Sequence, residues 1–145
     1  MRALLLHLTL ALIITGCGDL GNTSDVSGAV MGSDFFSTAG SAESDGAGYT
    51  ITLSDSSAFS CFPVGSQDAY LTVVIGSVDG PTSIPAAGNV FFNNFQDNIN
   101  TTEAATSGTV SIDSVDTDLG TISGTIDASG DTSSVQGSFS VEICT

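Results

Sequence analysis

Residues 135–143, VQGSFSVEI, decide the fold class, because they hold the longest strict alternation of apolar or small residues with polar ones. A period of two is typical of a β-strand that is buried on one face only. Shorter runs with this period occur at 110–113 and 122–126, and turn sequences at 116–118 and 129–131 separate the three runs. The C-terminal part is therefore predicted to form a three-stranded antiparallel meander.

The front of the chain repeats this pattern in other candidate strands. Apolar residues alternate at 49–53 and 69–78, and weaker candidates lie at 26–31, 34–42 and 89–95, whereas the proline-containing segment 78–87 is predicted to be a loop. Gly, Ser, Thr and β-branched residues abound while Lys, Arg and Glu are scarce, which favours strands over helices. The sequence predicts an all-β fold: a single antiparallel β-sandwich or barrel of about eight strands.

The N-terminus has the three zones of an export signal. Arg2 gives a short positive region, and residues 3–14 form an apolar stretch that is too short to span a bilayer, which takes about 20 residues. The next residues, Ile14-Thr15-Gly16-Cys17, resemble the lipobox of bacterial lipoprotein precursors. The alternative is an ordinary secretory signal with a chance cysteine.

The lipobox resemblance implies that Cys17 is alkylated by a diacylglycerol and becomes the first residue after cleavage. Two or three acyl chains anchor a protein stably to a membrane, whereas one chain is marginal. Gly18 is not an acidic inner-membrane retention signal, which favours the outer membrane of the cell envelope. The predicted organisation is a signal peptide at 1–16, a lipidated N-terminus and flexible tether at 17–27, and a β domain at 28–145.

The charge of the predicted mature chain excludes several functions. Arg2 and His7 are the only basic residues of the full sequence, and both are predicted to be removed with the signal peptide. The predicted mature chain then has sixteen acidic residues and no Lys, Arg or His, which gives a formal charge of about −16. Such a chain cannot neutralise nucleic-acid phosphates. It also cannot build a Ser-His-Asp triad, a Cys-His pair or a Schiff base. No enzyme activity is expected, and the electrostatic complement is a divalent cation or a basic partner.

Cys61 and Cys144 remain as a pair once Cys17 is lipidated. In an exported protein an even pair of cysteines most simply forms a disulfide. A metal thiolate pair is the competing interpretation, but the mature chain has no His or further Cys to complete four ligands. The sequence therefore predicts a bond between the C-terminal strand and the middle of the domain.

Two clusters of oxygen ligands suggest Ca²⁺ or carbohydrate binding. Asp113, Asp116 and Asp118 place three carboxylates in six residues, although they lack the spacing and the final Glu of an EF-hand. The second cluster combines amides and carboxylates at 93–100 with phenylalanines at 91–95. The alternatives are a solvated acidic turn for the first cluster and a loop beside core phenylalanines for the second.

The C-terminal pattern Gly108-Thr109, Gly124-Thr125 and Gly137-Ser138-Phe139 resembles uncharacterised β-rich lipoproteins of Gram-negative bacteria, which implies a β fold and gives no indication of an activity. The sequence thus predicts a non-catalytic envelope lipoprotein, bound to the membrane through Cys17, whose protein or glycan partner it does not name. A Ca²⁺-dependent binding module, with carbohydrate as one candidate ligand, is the alternative. A glycosidase that uses only carboxylates is a remote one.

Overall fold

The computed structural model describes residues 23–56, 61 and 69–144, and within these ranges the chain contains strands and no helix. The predicted signal peptide, the lipobox and residues 17–22 of the predicted tether lie outside the described residues. The strands are β1 (Thr23–Ser24), β2 (Ser27–Val30), β3 (Ser33–Phe36), β4 (Ala39–Ser44), β5 (Gly48–Ser54), β6 (Ala69–Gly76), β7 (Thr82–Pro85), β8 (Val90–Gln96), β9 (Ile99–Ala104), β10 (Ser107–Asp116), β11 (Thr121–Ser129) and β12 (Ser134–Cys144). The all-β prediction is confirmed.

All twelve strands belong to one sheet, whose main path is β7-β10-β11-β12-β4-β5-β6-β8-β9. β12 is its central element. Along one side it pairs with β11, and along the other side it pairs in turn with β2, β1 and β4. β3 joins the sheet through β2. The eleven residues of β12 therefore connect the N-terminal strands, the meander and the second half of the sheet.

The C-terminal meander forms where the alternating sequence predicts it. β10, β11 and β12 pair antiparallel in order, and their turns coincide with the predicted turn sequences. One irregularity interrupts the β10–β11 ladder between Ile112 and Ser114, so that Asp113 has no directly opposed residue on β11. This is the two-against-one arrangement of a β-bulge.

The alternation buries one apolar side of the curled sheet around a single core. The meander contributes Ile112, Ile126 and Phe139, and the opposite half contributes Leu53 and Phe92, all of them nearly inaccessible to solvent. Because successive strand residues point to opposite faces, the residues between these core positions face outward. The outer face of the meander is consequently made of Ser, Thr, Asp and Gln side chains.

Three details of the predicted fold are wrong. The sheet is mixed, because residues 142–144 of β12 pair in parallel with β4, and it has more strands than the eight expected. The segment 78–87 is not a loop throughout, since β7 pairs with β10 and ends at Pro85, as an edge strand can. The predicted tether overlaps the sheet, because β1 begins at Thr23 and Val26 is fully buried.

The predicted Cys61–Cys144 disulfide is present, with a Cα–Cα distance of 5.4 Å. Val141 belongs to the core and Ile143 packs against it, so these two side chains point inward. Because successive side chains of a strand point to opposite faces, Cys144 points toward the outer side of the sheet. The bond joins the end of β12 to the segment between β5 and β6. The two cysteines are 83 residues apart in sequence. The bond is made at the end of β12 that pairs in parallel with β4.

Candidate functional site

A groove with a volume of about 570 Å³ opens to solvent on the outer face of the meander. It crosses β10, β11 and β12 and extends to the segment that joins β1 and β2. The lining residues are Asp25, Ser27, Thr109, Ser111, Thr125, Ile126, Asp127, Gln136 and Gly137. Most of them carry a hydroxyl, amide or carboxylate group.

The strand register explains why these residues come together. Thr109 lies opposite Asp127, Asp127 opposite Gln136, and Gln136 opposite Ser27. Directly opposed residues share a face, with Cβ atoms about 4.5–5.5 Å apart. The four side chains therefore form one row across β10, β11, β12 and β2.

An exposed aromatic side chain continues this row beyond the groove. Phe36 of β3 lies opposite Ser27 of β2, so its ring shares the outer face with the groove. The side chain is 57% exposed, whereas its neighbour Phe35 is 3% exposed and belongs to the core. The row thus ends at β3 in an apolar surface that faces solvent.

Gly137 allows the β1–β2 segment to form one side of the groove. Its φ is +147°. A Cβ atom here would lie 2.5 Å from the carbonyl oxygen of Asp25 and 2.7 Å from the Cα of Val26, closer than real Cβ atoms come. Only glycine therefore permits the close approach that brings Asp25 to the groove.

The two carboxylates of the groove differ from those that stabilise turns. The carboxylate of Asp127 has no hydrogen-bond partner among the described residues, and that of Asp25 accepts one long bond of 3.4 Å from the Ser138 hydroxyl. By contrast, Oδ1 of Asp45 accepts two backbone N–H groups at 2.8 Å in the β4–β5 turn. The groove carboxylates are thus available to accept hydrogen bonds from a ligand.

No protein-family model, curated protein or solved structure matches this chain. Across the described ranges there is also no helix of the length and apolarity needed to cross a bilayer.

The structure does not bring Asp113, Asp116 and Asp118 together as a metal site. Asp113 lies at the bulge of β10, whereas Oδ1 of Asp116 accepts the backbone N–H groups of Asp118 at 3.0 Å and Leu119 at 2.8 Å. This is the Asx turn that Asp commonly forms at the end of a strand. Among the described residues, no group of three His, Cys, Asp or Glu side chains is placed to hold a metal ion.

Calcium is therefore expected to stabilise the protein no more than sodium does at equal ionic strength. Repulsion among the sixteen acidic residues is the main electrostatic effect in this chain, and salt reduces it by shortening the Debye length to about 8 Å at 0.15 M. Monovalent salt should raise the melting temperature by about 2–5 °C. Thermal unfolding in matched NaCl and CaCl₂ measures both effects, and a much larger shift in millimolar calcium would reveal a specific site.

The second oxygen-rich cluster is a hairpin. Phe92 is fully buried, and Asn93, 5% exposed, accepts a hydrogen bond of 2.8 Å from the Thr102 hydroxyl and donates one of 3.2 Å to that of Thr72. Asp97 and Asn98 have φ values of 51° and 62°, as the turn between β8 and β9 requires. Phe92 therefore contributes to the core, Asn93 joins neighbouring strands, and Asp97 and Asn98 form the turn of the hairpin.

Glu103 is a structurally important carboxylate that its sequence context does not reveal. Its Oε1 accepts the Thr132 backbone N–H at 2.7 Å, and its Oε2 accepts the hydroxyls of Thr132 at 2.7 Å and Ser133 at 2.6 Å. The Ser133 hydroxyl in turn accepts the Met31 N–H at 2.9 Å. Glu103 thus links the end of β9 to the β11–β12 turn and, through Ser133, to the β2–β3 turn.

The same contacts change the acidity of Glu103. Burial acts to raise the pKa of this carboxyl group, but the hydrogen bonds from Ser133 and Thr132 outweigh it and lower the pKa from 4.5 to about 2. Hydrogen bonds that favour the ionised form always act in this direction. The described residues include no Lys, Arg or His, and neutral donors stabilise the charge of Glu103 instead.

We expect Glu103→Gln to lower the free energy of unfolding at pH 7 by about 1–2 kcal/mol, a modest value because Glu103 is partly exposed to water. Since the folded pKa lies below the unfolded one, the contribution of Glu103 is present above pH 4.5 and is lost as pH falls toward 2. Denaturant titrations should show that this acid-dependent loss is smaller in Glu103→Gln. The exposed Glu142→Gln should behave like the wild type, and equal acid sensitivity of both variants would contradict the assignment.

Proposed function

We propose that this protein is a non-catalytic lipoprotein of the bacterial cell envelope, anchored through Cys17, whose β domain binds a ligand in the outer groove of the meander. The observation that carries this proposal is the groove itself. Ligand sites are concave and use convergent polar groups to orient the ligand, and the groove supplies both features. Most of its side chains lie on paired strands, so binding a ligand costs little conformational entropy of the backbone.

The proposed anchor is close in sequence to the groove. Asp25 comes eight residues after Cys17, and eight extended residues span at most about 29 Å. If Cys17 is lipidated, the groove is held within this distance of the bilayer surface. A ligand of the groove would then be a component of the envelope or a molecule that reaches it, and the residue Gly18 favours the outer membrane.

Binding explains the groove better than catalysis does. The mature chain without His, Lys or Arg leaves only carboxylates as acid and base. A glycosidase of this kind needs a general acid in an apolar, sheltered setting. Asp25 and Asp127 are both exposed at an open groove. The residues favour a ligand that is held rather than transformed.

Amide chemical-shift mapping tests the proposal on the ¹⁵N-labelled lipidated protein in detergent micelles. The probes are neutral tetrasaccharides of glucose and of N-acetylglucosamine, tetralysine, and heparin. We expect one uncharged or cationic probe to shift the signals of Thr109, Thr125 and Gln136 while Thr101, which lies on β9 and does not line the groove, stays unchanged. The proposal fails if no probe shifts the groove signals, or if shifts occur only elsewhere.

A further inference from the structure

We propose that the groove takes a neutral oligosaccharide, which lies along the cross-strand row and places one sugar ring on Phe36. This inference rests on the proposed function, since it names the ligand class of the same groove. The row from Thr109 to Phe36 covers four interstrand spacings, about 19 Å in all. That length accommodates several linked sugar rings.

The hydrogen-bonding groups of the groove match sugar hydroxyls. Ser27, Thr109, Ser111 and Thr125 each offer a hydroxyl that donates and accepts, and Gln136 offers an amide that does both. Asp25 and Asp127 accept only. A sugar hydroxyl also donates and accepts, so it can satisfy each kind of group in the groove.

Charge distinguishes the remaining ligand classes. Anionic ligands are repelled, because the mature chain offers no cation to receive them. A cationic ligand would satisfy the two carboxylates, but an ammonium group has donors and no acceptor. It would leave the donors of the hydroxyls and of Gln136, which outnumber the carboxylates, without a partner in the ligand. A neutral polyhydroxyl ligand uses the whole lining.

Phe36 supplies the apolar part of the site. Ligand sites usually combine apolar surface with a few placed polar groups. The side chain of Ile126 belongs to the core, so the outward-facing side chains of the row are polar, whereas the side chain of Phe36, 57% exposed, presents an apolar face at its end. The aliphatic C–H face of a pyranose ring can pack on such a surface. This role also gives a reason for an aromatic residue to face solvent on a short edge strand.

The affinities of Phe36 and Asp127 variants for the neutral tetrasaccharides test this inference in the full-length lipidated protein. Phe36→Ala should weaken binding about fivefold, which corresponds to about 1 kcal/mol, whereas Phe36→Trp should retain or improve it. Asp127→Asn should weaken binding about threefold or more. The controls are Ile99→Ala, which removes an exposed apolar side chain from β9, and Asp113→Asn, which removes the same charge outside the groove. Both controls should bind as the wild type does.

The outcomes separate this inference from the proposed function. If tetralysine shifts the groove signals and neither tetrasaccharide does, the neutral-sugar inference is overturned while the groove remains a binding site. If no probe shifts them, both fail. If a tetrasaccharide binds in the groove with unchanged affinity for Phe36→Ala, the placement of a sugar ring on Phe36 is wrong.

Discussion

Replacing both Cys61 and Cys144 by serine is expected to lower the free energy of unfolding by about 2–4 kcal/mol. The bond joins residues that are 83 apart in sequence. Closing so long a loop lowers the conformational entropy of the unfolded chain. In the chain-entropy model this raises the free energy of unfolding by about 4–5 kcal/mol, and measured values commonly fall below that figure. Since small domains are stable by only about 5–15 kcal/mol, this is a large fraction of the total.

Denaturant titration of the wild type and of the double variant measures this difference. The wild type in excess reductant should match the double variant, because both lack the bond. Thiol labelling under denaturing, non-reducing conditions should find neither cysteine free in the oxidised protein. Two reactive thiols, or equal stability of the oxidised wild type and the double variant, would contradict the expectation.

The Cys17→Ser variant is expected to lose lipidation completely. The thiol of Cys17 is the only atom to which the diacylglycerol of a lipoprotein can be attached under the lipobox interpretation, and serine does not replace it. Growth with labelled palmitate should therefore label the wild type and leave the variant unlabelled, in a soluble or unprocessed form. The Cys61→Ser/Cys144→Ser double variant is the matched control, and it should still be labelled. Acylation of Cys17→Ser would refute the lipobox interpretation.

The meander could be predicted because each of its strands has a local sequence pattern, and the disulfide could be predicted because the chain has few cysteines. The alternation at 135–143 specifies a strand with one buried face, and its neighbours have the same period and are separated by turn residues. Cys61 and Cys144 are the only cysteines left after Cys17. In both cases a short stretch or a simple count leaves one plausible arrangement.

The pairing between distant strands could not be predicted from these patterns. Alternation defines the faces of a strand, but it does not define its neighbour or its direction, so the parallel contact of β12 with β4 has no local signature. The polar segment around Val26 resembles a tether in sequence for a similar reason. Its strands are short, and they depend on pairing with β12 at the far end of the chain.

The groove and the Glu103 contacts could not be predicted either, because the residues that form them are far apart in sequence. Ser27, Thr109 and Gln136 meet only because β2, β10 and β12 belong to one sheet. Glu103 finds its donors about thirty residues away, at Thr132 and Ser133. Asp113, Asp116 and Asp118, by contrast, are close together in sequence, but the structure does not place their carboxylates as a metal site.

The central claim is that the outer groove of the meander is the binding site, and a groove-filling variant tests it most directly. Thr125 is exposed in the middle of the groove, so Thr125→Trp should occlude it without disturbing the core. Thr101→Trp places the same side chain at an exposed position of β9 that does not line the groove. For the probe that shifts the wild-type groove signals, we expect Thr125→Trp to weaken binding at least tenfold, about 1.4 kcal/mol, and Thr101→Trp to leave it unchanged. Wild-type affinity in a folded Thr125→Trp protein would contradict the account.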